Sequence, residues 1–417
     1  MQPLRGTKDL LPNEIIFWQY IYNKAFNLLS LSNYREIRTP IIESTDLFQR
    51  GIGNDTDIIN KEMYSFNDQS NRRITLRPEG TASIARSFIS NKLYQSNKIE
   101  RFWYFAPMFR YERPQNGRQR QFHQLGIECI GSMNPIADVE VIRLANNLLY
   151  ELECYNFDIE INSIGNINER NIYKKELINY LIKYKQDLDS DSQKRLYTNP
   201  LRILDSKNEI TKNIISNGPS LKDYLQYSSI EHFHAVCEQL NYLNIKYQIN
   251  DKLIRGLDYY NDTAFEIKTK STGNQNTICG GGRYDSLIQE LGGPNTPSVG
   301  WAIGIERLLS IIKQNIKIQQ LNPTIYIAIQ GKEAQIKSWE IINTLEKEKI
   351  HFELNLENNS FQKQIKKADK SGASVCIILG NNEIINKSIT LKILNKGIQK
   401  TIVEEDLIKE LRKLKIS

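Results

Sequence analysis

No apolar run in the chain approaches the roughly 20 residues that crossing a bilayer requires. The opening MQPLRGTKDLLP has neither the apolar core of a secretory signal nor the Arg- and Ser-rich texture of a transit segment. A protein that works where it is made, with no membrane partner, is therefore expected. Cysteine is scarce: Cys129, Cys154, Cys237, Cys279 and Cys376 lie far apart and form no C-x-x-C pair, which points to free thiols in a reducing compartment and away from a zinc site. Histidine is equally sparse, and His232 and His234 flank Phe233 at a spacing that does not suit a helical metal site, so no metal is assigned. There is no G-x-x-x-x-G-K-[ST] loop, and GGGRYD (280 to 285) is not framed by the strand, turn, helix and distal acid of a dinucleotide fingerprint. Internal repeats and low-complexity segments are absent as well.

What is present describes an ordinary globular chain. At 417 residues it exceeds one compact core, so two or three domains are expected. Hydrophobic residues at 40% and charged residues at 25% match a folded protein, and the net charge of +7 permits a polyanionic partner without requiring one. The abundance of Ile, Asn and Lys reads as the mark of an AT-rich genome.

Periodicity organises the chain. Pro12 opens a helix whose apolar positions recur through Leu31, and YREIRTPIIES (34 to 44) reads as a strand broken at Pro40. RRITLRPEG carries the next strand and TASIARSFIS a helix. RFWYFAPMF and QFHQLGIECIG are strand-like runs joined by a Pro-, Asn- and Gly-containing connector, hence a long hairpin. Period two then puts Arg110 and Glu112 on one face of the first strand, and Gln124, Gly126 and Glu128 on one face of the second. His123 faces the other way, as a hydrogen-bonded structural histidine. From about 167 to 248 the text is helical and charged, a separate insertion with little functional signal. Strands resume at KYQIND and RGLDYYNDTAFEI, the Gly-rich CGGGRYDSLIQELGG follows, and GWAIGIERLLSII is a strand leading into a helix. KIQQLNP (317 to 323) reads as a linker to an alternating β and α region that ends in a charged helix.

Four polar stretches concentrate charge among Gly and Pro: RPEGTAS (77 to 83), FRYERPQNGRQRQFHQLGIE (109 to 128), RGLDYY (255 to 260), and GGGRYD with GIER (304 to 307). Singly, each fits surface ion pairs or turns. Together on an antiparallel sheet they describe a site that holds both anionic and cationic ligand groups. The planar fork of arginine suits phosphate, and glycine lets backbone approach a ligand. Phosphates held by arginine on a sheet are the expectation.

These stretches resemble the class II aminoacyl-tRNA synthetases, and among them the histidyl-tRNA synthetase family. FRYERPQNGRQRQFHQLGIE resembles that family's second class motif, GWAIGIERLL its third and YREIRTPIIE its first, while RGLDYY and GGGRYD resemble the stretches that distinguish its histidine members. The likeness runs from RGTKDLLP through NPLRILDSKN to the C-terminal region. It implies an α+β fold: an antiparallel-sheet catalytic domain over 1 to 322 with the helical insertion at about 167 to 248, and an α/β anticodon-binding domain over 323 to 417. It also implies a homodimer, built through the first motif.

The reaction implied is activation of histidine by ATP to histidyl-adenylate and transfer to the 3′ end of tRNA-His. Arg110 resembles the α-phosphate arginine, and Arg255 the one between the histidine carboxylate and that phosphate. Arg118 and Arg307 resemble the holders of the β and γ end, with Glu112 near the adenine amino group and Phe122 stacked on the ring. Mg2+ would be bound mainly through the ATP phosphates. Glu79, Thr81 and Gln124 match residues at the histidine ammonium, Glu128 and Tyr260 those at the imidazole, with Tyr259 and Tyr284 in the same pocket. Arg113 and Gln115 match contacts to the tRNA acceptor end. Residues 321 to 417 hold sixteen Lys or Arg against twelve Asp or Glu, net +4, so phosphate attraction there is moderate. The expected compartment is the cytoplasm of a low-GC bacterium or a plastid stroma. Two other readings fit the chain less well. A non-catalytic regulatory subunit of ATP phosphoribosyltransferase commonly lacks the C-terminal domain, and a nucleic-acid-binding module leaves Glu79, Glu128 and Arg255 unexplained.

Overall fold

The structure, a computed structural model, describes residues 1–53, 56–96, 98–114, 118–269, 277–318 and 324–414. They fall into two compact units, Met1–Ile318 and Gln319–Ser417.

The first unit is built on an eight-stranded sheet. Its order is Arg35–Glu36, Glu100–Phe109, Gln121–Ile130, Ser298–Gly304, Thr277–Arg283, Asn261–Thr269, Phe157–Ser163 and Gln248–Ile249. The inner pairings are antiparallel, and the short strand at each edge adds in parallel. The class is thus α+β with a mostly antiparallel sheet. Alternation along the strands sorts the two faces. Trp103, Leu125, Ile127, Cys129, Phe265 and Trp301 are buried under the helices Pro12–Leu31, Pro135–Glu151 and Ile305–Asn315. Glu128, Gly126 and Gln124, the intervening residues, look the opposite way, as period two requires.

That opposite face is only partly covered. Phe102, Tyr104, Met108 and Ala264 pack there against the helix Thr81–Ser90 and against side chains of the insertion such as Tyr173 and Leu177. The insertion comprises the helices Ile167–Ile182, Ser190–Thr198, Glu209–Ser216 and Tyr227–Tyr242 with two 3-10 turns. Its first helix is well started: Asn166 accepts from the Asn168 and Glu169 amides while the Glu169 carboxylate takes the Asn166 N–H, a reciprocal cap.

Three expectations need correction. RGLDYY is not a strand: residues 255–260 are an irregular loop, and the strand begins at Asn261. Arg110 and Glu112 are not on a strand face, because the Glu100–Phe109 strand ends before them. In the second unit the sheet gains a strand the sequence reading did not include, Ile398–Val403, paired antiparallel with Ser388–Ile393. That sheet runs Phe352–Leu354, Ile325–Ile329, Val375–Leu379, Ser388–Ile393, Ile398–Val403, the first three parallel. Helices Lys332–Lys347 and Leu407–Lys413 belong to one of its cores, and Phe361–Lys370 to the other.

Candidate active site

The uncovered part of the large sheet is a cleft of about 880 Å³. Eleven of the residues singled out in the sequence line it: Glu79, Thr81, Arg110, Glu112, Arg118, Phe122, Gln124, Arg255, Tyr259, Tyr260 and Arg307. Glu128 and Tyr284 lie buried beside them, tied in by hydrogen bonds. Arg113 is exposed on the hairpin connector, and Gln115 lies outside the described residues.

One end of the cleft is cationic. Arg110 donates from Nε to the Pro78 carbonyl at 2.9 Å, and its guanidinium stands 5.2 Å from the Phe122 ring centre. Glu112 is shared by Arg118 at 3.2 Å and Arg110 at 3.8 Å. Arg307 donates to the Thr277 carbonyl; burial, then repulsion from Arg118, lowers its pKa. Three guanidiniums around one carboxylate leave a surplus of positive charge, the condition for holding an anion with several oxygens.

The other end consists of acceptors. Glu79 sits just before the helix Thr81–Ser90 and takes the amides of Thr81 and Ala82, each at 2.7 Å. Burial nevertheless raises its pKa. Glu128 is 1% exposed and accepts from the Thr81 hydroxyl at 2.7 Å and the Tyr284 hydroxyl at 2.5 Å. Burial pushes its carboxyl up to about 8; those two hydroxyls oppose the shift and Glu79 adds to it. Its room comes from a glycine: a Cβ at Gly300 would overlap the carboxylate. The Gln124 Oε1 is buried without a hydrogen-bond partner among the described residues. Tyr259 stacks its ring 4.6 Å from Tyr260 and 5.7 Å from Tyr284 and reaches Glu79 at 3.5 Å. Two carboxyls and an unpartnered amide oxygen at one end suit a ligand rich in N–H donors.

Arg255 also lines the cleft, ion-paired to Glu266 and with its guanidinium 5.3 Å from the Tyr260 ring centre. Burial works to lower its pKa; Glu266 and the tyrosines more than offset this, so the net shift is upward and the group stays charged. Glu266 is further bound by the Thr277 hydroxyl at 3.0 Å and lies 3.7 Å from Lys268, which sits 2.7 Å from Glu160. Gly280 makes the space, since a Cβ there would overlap the guanidinium. Gly280→Ala is therefore expected to push Arg255 out of line and to cut turnover about a hundredfold, by the cost of roughly 1 Å of misplacement. Steady-state rates with circular dichroism as a fold control test this, and a rate within threefold of the parent refutes it.

Several residues that line the cleft carry no mark in the sequence. Glu266 and Lys268 sit within an ordinary alternating strand, and Arg202 and Lys207 come from the insertion; nothing in their local pattern marks them. His123 stands on the helix-covered face, with Nδ1 3.0 Å from Glu306 and its ring edge-on to Trp18. His232 lies 3.3 Å from Asp138, which also binds the buried Arg283. Among the described residues no group of three His, Cys, Asp or Glu is arranged for a metal, and no helix is long and apolar enough to cross a membrane.

A family profile described as histidyl-tRNA synthetase matches residues 6–308, and one described as an anticodon binding domain matches 324–414. A chloroplastic histidine–tRNA ligase of Gracilaria tenuistipitata var. liui is 64% identical over 99% of this chain and 98% of its own length. A histidine–tRNA ligase of Rippkaea orientalis is 50% identical over 100% and 97%. Apo histidyl-tRNA synthetase of S. aureus superposes with a TM-score of 0.82 at 34% identity, covering 98% of this chain and 99% of that one. These matches favour the ligase over the regulatory subunit, and the cleft described above lies within the first matched region. The chain belongs to the histidyl-tRNA synthetase family.

Proposed function

We propose that the cleft of this histidine–tRNA ligase joins histidine to ATP through the residues assigned above. The polarity split of the cleft carries this reading, because the reactants differ in the same way. ATP brings phosphate oxygens to Arg110, Arg118 and Arg307, its adenine between Phe122 and the Glu112 carboxylate. Histidine brings an ammonium to Glu79, Thr81 and Gln124 and an imidazole to Glu128 and Tyr260, walled by Tyr259 and Tyr284. A histidine carboxylate oxygen attacks the α-phosphorus, the bond to the bridging oxygen breaks, and pyrophosphate leaves; Arg255 and Arg110 flank the charge that develops. The terminal ribose hydroxyl of the tRNA then attacks the adenylate carbonyl and AMP departs. Mg2+ fits as an ion carried by the phosphates and water, where it would neutralise their charge, since the nearby Glu112 is already held by two arginines. Histidine-dependent exchange of pyrophosphate into ATP tests the whole assignment, and no exchange at saturating histidine and Mg2+ refutes it.

Arg113, exposed on the connector, and Gln115 are proposed to meet the acceptor end of tRNA-His. Arg113→Ala is accordingly expected to slow transfer about tenfold, the loss of a phosphate contact worth about 1.4 kcal/mol, while exchange stays within twofold. Equal losses in both steps would contradict it. The catalytic part is proposed to run to residue 322 and the anticodon-binding part from 323 to 417. The chain is proposed to act as a homodimer, its first-motif surface offering the exposed apolar residues Ile41 and Ile42. A single monomeric boundary in sedimentation at micromolar concentration would overturn that. For the compartment, the chloroplastic relative favours a plastid stroma over a bacterial cytoplasm, and cell fractionation decides.

A further inference from the structure

Two arginines reach from the helical insertion to the same short loop. Arg202, on the 3-10 turn Pro200–Asp205, donates through Nη2 to the Gly256 carbonyl. Arg170, on the helix Ile167–Ile182, donates through Nη1 to the Tyr260 carbonyl. These carbonyls stand near either end of the irregular segment that carries Arg255, Tyr259 and Tyr260. Both arginines line one small cavity together with Leu257 and Asp258. Directly after the loop, the Ser229 hydroxyl of the insertion lies 3.0 Å from Asp262. Within the loop, the Asp258 amide donates to the Ile52 carbonyl at 3.1 Å, a tie from outside the insertion.

The arrangement is costly for anything but positioning. Arg170 is 8% exposed, and burial lowers its pKa against the pull of Asp258 and Asp262. Its Nε has no hydrogen-bond partner among the described residues. A segment without ladder hydrogen bonds would leave its carbonyls to water and its side chains free to wander; a planar guanidinium fixes a carbonyl in direction as well as distance.

We propose that the insertion is a positioning element for adenylate formation, in which Arg202, together with Arg170, clamps the 255–260 loop and so aims Arg255. This rests on the role given to Arg255 above. Arg202 also lines the cleft, so a direct contact to ATP is the competing role. Arg170 is buried deeply enough that its removal threatens the fold, and Arg202, half-buried, carries the test.

Arg202→Ala is expected to lower kcat for pyrophosphate exchange about thirtyfold, with the KM for ATP within threefold and an unchanged thermal midpoint. Arg202→Lys, which keeps one donor, should recover most of the rate. In an Arg255→Ala background, followed by single-turnover adenylate formation, Arg202→Ala should cost less than threefold, since the residue it aims is gone. A tenfold rise in the KM for ATP with kcat unchanged makes Arg202 a ligand contact and overturns the proposal. So does an equal penalty in both backgrounds, or no loss at all. If Arg255→Ala is crippled while Arg202→Ala is normal, the clamp alone fails; if Arg255→Ala is itself near normal, the reading of Arg255 fails with it.

Discussion

Arg255→Ala is expected to lower histidine-dependent pyrophosphate exchange by about a thousandfold. The first step brings a carboxylate to an α-phosphate, and two unit charges about 4 Å apart at an effective dielectric near 20 repel by roughly 4 kcal/mol. At about 1.4 kcal/mol per factor of ten, an unscreened approach costs on the order of a thousandfold in rate. Arg255 is held charged by Glu266 and faces the same cleft as Arg110. A guanidinium placed before the reactants arrive need not reorganise as charge builds. Its removal does not strand Glu266, which keeps the Thr277 hydroxyl at 3.0 Å and Lys268 at 3.7 Å, so the fold is expected to survive. The decisive measurement is kcat for exchange beside a melting curve. A loss under tenfold with an intact fold would remove Arg255 from the chemistry.

The parts of this site legible in the sequence are those where chemistry and local pattern coincide. Arg110, Glu112, Gln124 and Glu128 fall in one twenty-residue stretch whose charge demanded a reason, and period two separated Gln124 and Glu128 from His123 as the strand later did. The loop at 255–260 stands out in the sequence by its residues, among them Arg255, Tyr259 and Tyr260, which line the cleft, but not by its conformation. Its aromatic and apolar residues imitate a strand, whereas its hydrogen bonds come from Ile52 and from two insertion arginines that no local window contains. Arg202 and Gly256 are 54 positions apart, so no periodicity could join them. The missed strand Ile398–Val403 has the converse cause: exposed along one face and at most half-buried along the other at the sheet edge, it carries Gln399 and Lys400 among its apolar residues and lacks the continuous run of Val375–Leu379.

Glu128→Gln is expected to show in two separate readouts. Charge-assisted hydrogen bonds are worth about 1.5–3 kcal/mol, so replacing the carboxyl by an amide of the same shape should raise the KM for histidine about a hundredfold. The second readout is the stability of the protein without ligands. Burial takes the Glu128 carboxyl up to about 8 from its ordinary 4.5, so between those values the folded chain binds a proton that the unfolded chain has released. An acid shifted this way contributes its stability below the unfolded pKa and loses it as pH rises through the folded one. Wild-type stability should therefore fall between about pH 5 and 8, by on the order of 4 kcal/mol from this group, and level off above. Glu79, whose pKa is also raised, interacts with Glu128, so the difference between the two proteins reports Glu128 together with its coupling to Glu79. Urea denaturation across that range should give a flatter profile for Glu128→Gln than for the wild type. Parallel profiles would mean that Glu128 is ionised in the empty pocket, and an unchanged KM would separate it from the imidazole.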